Sequence, residues 1–138
     1  MFEADVNYLA VLIGGLAAQP LGFLWYGPLF SKAWMQARGY SEAELAEDGQ
    51  SPAPYVLALA LALVIAYTLA RLADMTGADS VGDCLALAAF CWAGLAGSVQ
   101  AVQIVFNRVD SKLGTFLIEG GYQLTSFLIM GLVIGCFQ

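Results

Sequence analysis

A chain of 138 residues in which 60% of side chains are hydrophobic, only 12% are charged and the mean hydropathy is +0.75 lacks the polar shell of a soluble domain, where about a quarter of residues carry charge. Its formal net charge of -6 leaves no basic footprint for nucleic acid. With no histidine and no G-x-x-x-x-G-K-[ST], H-E-x-x-H or G-x-S-x-G motif, the familiar routes to catalysis are missing, so neither enzymatic activity nor a metal or cofactor is expected.

The few charges are segregated. Residues Val6 to Ser31, Gly49 to Ala70, Cys84 to Asn107 and everything after Glu119 carry none. Four segments result: Val6 to Gly27, Pro54 to Leu72, Cys84 to Phe106 and Leu113 to Phe137. Each reaches the roughly 20 residues that cross a hydrocarbon core of about 30 Å as a helix. Helix is also the only local form that satisfies every backbone group in lipid without closing a barrel. The expected fold is therefore all-α: a polytopic membrane protein, one domain over residues 1–138, built as a four-transmembrane-helix bundle embedded in the lipid bilayer.

The first segment opens with Glu3 and Asp5 and has no Lys or Arg before its apolar run, so it lacks the basic start of a cleaved signal peptide and is expected to stay. It carries Gln19 beside Pro20, and Ala18 and Gly22 form a small-residue pair at spacing four. At its end come Trp25, Tyr26 and Pro28, then Lys32 and Trp34. Amphipathic rings favour the headgroup level, so Trp25, Tyr26 and Trp34 are expected to be interfacial anchors, with Phe30 to Ala37 along the membrane surface.

This stretch, "VNYLAVLIGGLAAQPLGFLWYGPLFSKAWM", resembles the N-terminal signature of a family of small bacterial membrane proteins known as domain of unknown function 1761. The resemblance rests on Asn7, Tyr8 and Leu9, on Gly22, Trp25 and Tyr26, and on Phe30 and Trp34. It implies a similar four-span layout and brings no established activity.

In the first loop Ser41 and Glu44 have the spacing of a capping box, which starts a short cytoplasmic helix from Glu42 to about Glu47, ended by Gly49. The second segment is nearly all apolar around its circumference and is expected to be the most lipid-exposed; Arg71 and Asp74 near its outer end are spaced to pair. Cys84, Cys91 and Cys136 lie in or beside spans without a pairing motif and are expected to pack as thiols.

The third and fourth segments carry polar side chains within the span. Gln100, Gln103 and Asn107 fall on one face of the third; Glu119, Gln123 and Ser126 form a stripe on the fourth. Such groups must turn inward, because an unsatisfied amide or carboxyl in lipid costs several kcal/mol. Counting about 1.5 Å per residue from the inner ends, Gln19, Gln100, Gln103, Glu119 and Gln123 are expected to meet as a buried polar cluster in the inner half of the bundle. Glu119 is then either a structural tether, paired with Arg108 or Lys112, or a cation or proton site. The pairs Gly94 with Ser98 and Gly131 with Gly135, together with Ala18 and Gly22, let backbones approach closely, which suggests a tight contact among helices one, three and four.

The loops after helices one and three hold Lys32, Arg38, Arg108 and Lys112, whereas the other side holds only Arg71. The positive-inside tendency makes those loops cytoplasmic and puts both termini outside. Functionally the chain reads as a small packing or accessory subunit of a membrane assembly or homo-oligomer, partnered by other membrane subunits or copies of itself; the alternative is a minimal transporter or channel for a small ion or solute that uses Glu119.

Overall fold

The computed structural model describes residues 5–44 and 52–138. It is all-α, with four helices long and apolar enough to cross a membrane. Helix α1 (Tyr8–Leu24) runs into a π-turn at Trp25–Leu29, then α2 follows at Ser31–Arg38. The second span is α3 (Ala53–Thr76) and the third is α4 (Val81–Phe106), α-helical on either side of a π-turn at Trp92–Gly97. The last span is α5 (Lys112–Cys136). Residues 42–44 are helical, and Ser41 and Glu44 exchange backbone and side-chain hydrogen bonds of 3.3 and 3.2 Å. The remainder of the expected Glu42 to Glu47 helix, like Gly49, lies outside the described residues.

Local chemistry sets the ends of each span. The Asn7 side chain accepts from the N–H groups of Leu9 and Ala10, Ser80 from Asp83, and Ser111 from Gly114, so each start has an orphan donor satisfied. The Ser80 cap moves the start of α4 to Val81, ahead of the Cys84 where the uncharged run begins. Helix α3 continues past Leu72 to Thr76, and within it Arg71 donates to the Tyr67 hydroxyl at 2.9 Å and lies over its ring. The expected Arg71–Asp74 pair is absent; the Asp74 carboxylate accepts from the Asp5 N–H at 3.0 Å instead. Gly77, at φ +74°, then terminates α3 in the left-handed region that a side chain disfavours.

Helices α1 and α5 form the middle of the bundle. Helix α3 packs along α1, α4 packs along α5, and α1 and α5 pack on each other. Two expectations fail here. Helix three does not lie against helix one, and the least buried span is α4, not α3. The physical reason is written in helix two: Ala62, Ala66 and Ala70 recur at spacing four, joined by Leu69 and Ala73, and all five are buried. This seam of alanines lets α3 approach α1 so closely that a Cβ on Gly15 would lie 2.6 Å from Leu63 Cδ2. In lipid, where hydrophobic burial gives helices little reason to associate, close backbone packing does that work.

On the other side, Gly131 and Gly135 act as the sequence suggests. A Cβ at Gly131 would stand 2.8 Å from the Cys84 carbonyl oxygen, and one at Gly135 would stand 2.7 Å from Val81 Cα. Ala18 is buried, and Gly22 lies under the Tyr122 hydroxyl. Gly94 and Ser98 do not pack within the protein. Gly94 has open space around its missing side chain, and the exposed Ser98 donates its hydroxyl to the Ala93 carbonyl of its own helix. Cys84 and Cys91 are buried free thiols, while Cys136 is an exposed one.

Candidate functional site

The α1 helix ends where Trp25 to Leu29 winds as a π-turn around Pro28, and at Gly27 the backbone leaves helical geometry (φ -103°, ψ -108°). This kink folds α2 back beneath the bundle, against the inner end of α5. The chain after α4 secures it there, since the Ser111 N–H donates to the Ala37 carbonyl at 2.8 Å. Gly39 ends α2 at φ +78°, with its N–H and that of Tyr40 both on the Met35 carbonyl. Ala37 and Arg38 are thereby held over the α5 residue Glu119.

Arg38 and Glu119 form the only salt bridge among the described residues, at 2.5 Å, with side chains 17% and 14% exposed. The guanidinium grips both carboxylate oxygens through Nη2 and adds Nε at 3.1 Å to Oε1. The Trp34 indole N–H donates to Oε1 at 3.4 Å, and the Gln100 amide donates to Oε2 at 3.2 Å. Gln100 in turn accepts from Gln123 at 2.8 Å. Burial works against the Arg38 charge, yet the Glu119 hydrogen bond and charge, with help from Tyr40, outweigh it and raise its pKa above the usual guanidinium range.

Of the five expected cluster members, the structure brings together Gln100, Glu119 and Gln123. Gln103 is exposed on α4 and outside the network; one turn beyond Gln100 it is the buried Ile104 that faces inward, and Gln103 falls to the outer side of that face. Gln19 is half-buried on the far side of α1, where it lines a separate cleft. The expected cations do not reach Glu119. Lys112 donates to the Val105 carbonyl at 2.5 Å, and Arg108 is exposed without an ion pair. Arg38 takes their place, and the cue was its position one turn beyond Trp34 in a segment that Pro28 and Gly27 release from the first helix.

The aromatic residues also differ from free-standing anchors. Trp25 donates its indole N–H to the Ile118 carbonyl at 2.8 Å and lies 4.8 Å from the Phe30 ring. Tyr26 sits edge-on to Trp34 and Tyr122, at 5.3 and 5.4 Å between ring centres. Both indole donors are spent on α5, so the cluster fastens the inner end of α1 and α2 to that helix and is half-buried in protein. Among the described residues, no three His, Cys, Asp or Glu side chains gather as a metal set.

Four membrane-crossing helices, with a short helix clamped to one end by a carboxylate inside the bundle, define a small multi-pass α-helical membrane protein. The chain belongs to the family described as Protein of unknown function (DUF1761), whose model matches residues 9–135. No curated protein and no solved structure matches it.

Proposed function

We propose that this protein is a non-catalytic packing or accessory subunit of a membrane assembly, in which Glu119 is a structural tether for α2. The observation that carries this is the saturation of the carboxylate: Arg38, Trp34 and Gln100 occupy both oxygens, leaving little acceptor capacity for a passing ion. Beyond Gln123 the polar stripe goes only as far as the buried Ser126, after which α5 continues toward its C-terminal end through the buried Met130 and Ile134. The transporter alternative would need Glu119 to exchange partners during each cycle.

The α4 surface supports association with other chains. Its outward side carries Gly94, Ser98 and Gln103 among exposed Leu95, Val99 and Val102, and small residues with an amide in lipid favour another helix over acyl chains. We place the α2 side in the cytoplasm and both termini outside, on the asymmetry of Lys32, Arg38, Arg108 and Lys112 against Arg71.

Reconstitution in liposomes tests the role of Glu119. No saturable flux of protons, sodium or potassium is expected, and a saturable flux abolished by Glu119→Gln would overturn the tether in favour of transport. Native mass spectrometry from a mild detergent tests association: a dimer or larger species, or a co-purifying membrane polypeptide, is expected, and a strictly monomeric protein would overturn the subunit assignment.

A further inference from the structure

Between α1 and the start of α3 lies a cleft of about 400 Å³ that the Glu119 network does not use. Small residues make the space, since Gly22, Gly27 and Ala58 contribute almost no side chain to its walls. Rings line the rest. Phe23 and Tyr55 stack at the rim, 5.8 Å apart and 23° from parallel, both exposed toward the surroundings of the bundle, and the Tyr26 and Tyr122 rings meet edge-on behind them. Its residues belong to the membrane spans beginning at Tyr8, Ala53 and Lys112, so the exposed rim opens sideways to lipid.

The polar groups in the cleft are few and specific. Tyr122 already donates its hydroxyl to the Ala18 carbonyl at 3.0 Å. The Tyr26 and Tyr55 hydroxyls and the Gln19 amide form no hydrogen bond within the described residues, although Gln19 and Tyr26 are half-buried. No Asp, Glu, Lys or Arg lines the cleft, so nothing there compensates a phosphate. Hydroxyl and amide donors set among aromatic walls suit an uncharged, flat group with oxygen acceptors, and the volume falls within the range of small-molecule sites.

We propose that this cleft binds the ring of a neutral, lipid-borne amphiphile of the quinone class. The ring slides between the Phe23–Tyr55 pair and the glycine wall, its carbonyl oxygens accept from Gln19 and the tyrosine hydroxyls, and its apolar tail leaves through the rim into the bilayer. Gln19 and Ala58, the positions that test the site, lie outside the Glu119 network, which the cleft meets where Tyr26 packs edge-on against Trp34.

The test is a titration of the full-length protein in nanodiscs with a decyl-substituted benzoquinone, read by quenching of tryptophan fluorescence with Trp25 close by. Saturable quenching is expected. Ala58→Phe, which fills the cleft from an exposed position, should weaken it by about tenfold or more, and Gln19→Leu, which keeps the volume and removes the amide, by about tenfold, the equivalent of one hydrogen bond. Tyr55→Leu, at the exposed rim, provides the same comparison if Ala58→Phe fails to insert. Quenching that rises linearly without saturating, or that is unchanged in the cleft variants, would overturn the proposal. So would equal competition by monodecanoyl glycerol, which has the chain and the oxygens but no ring.

Discussion

Removing the Glu119 carboxylate measures what holds α2 in place. Glu119→Leu deletes the acceptor for the Arg38 guanidinium, the Trp34 indole and the Gln100 amide together. Breaking a fully buried pair by deleting one partner costs about 3–5 kcal/mol, and a single hydrogen bond to a charged group is worth about 1.5–3 kcal/mol. Both side chains here retain about a sixth of their exposure, and α2 can carry Arg38 to water, so the loss belongs at the lower end, about 3 kcal/mol. Glu119→Gln keeps one acceptor oxygen for Trp34 or Gln100 and loses the charge and the other acceptor, at about 1.5 kcal/mol. Arg38→Met completes a double-mutant cycle, with an expected coupling of about 2 kcal/mol. Unfolding in mixed micelles by titration with SDS, followed by tryptophan fluorescence, gives the energies. A coupling under about 0.5 kcal/mol, the level of an exposed pair, or a Leu variant as stable as the Gln variant, would refute the clamp.

The remaining predictions concern packing, charge and topology. Gly131→Ala, whose Cβ would press on the Cys84 carbonyl, should destabilise by about 1–3 kcal/mol, whereas Gly94→Ala, in open space, should be neutral or slightly stabilising through better helix propensity; equal effects would place both on the same kind of surface. Trp25→Phe keeps the ring and loses the bond to the Ile118 carbonyl, at about 1 kcal/mol in the same SDS titration, and a silent substitution would count against the indole as a fastener. Because the Arg38 pKa is raised on folding, its contribution to stability is complete below the ordinary guanidinium value of the unfolded chain and is lost only as pH climbs through the still higher folded one; hydrogen exchange of α2 should therefore show no release attributable to Arg38 between about pH 7 and 10. In a background without the natural cysteines, Lys32→Cys should react with an impermeant thiol reagent only from the cytoplasmic face and Asp79→Cys only from the opposite one, and reaction of both from one side would contradict the four-span orientation.

The sequence by itself determined the architecture. Four tracts without charge in so short a chain leave no other way to satisfy backbone and side chains than four membrane helices, whereas the caps at Asn7, Ser80 and Ser111 that fix three of their starts emerged with the structure. The sequence also singled out Glu119, Gln100 and Gln123, because helical spacing and the cost of polar groups in lipid both turn them inward. Other features belonged to the tertiary structure alone. Helical periodicity gives a face but not the neighbour it meets, so the alanine seam of α3 became visible as the contact with α1 only in the bundle. Spacing of three or four also covers a wide arc of a helix, and it is Ile104, not Gln103, that takes the inward position one turn beyond Gln100. Arg38 lies 81 residues from its partner; no local rule selects it over Arg108 or Lys112. That choice depends on the fold at Gly27 and Pro28, where a kink brings α2 back under α5 and lets one guanidinium reach a carboxylate inside the bundle.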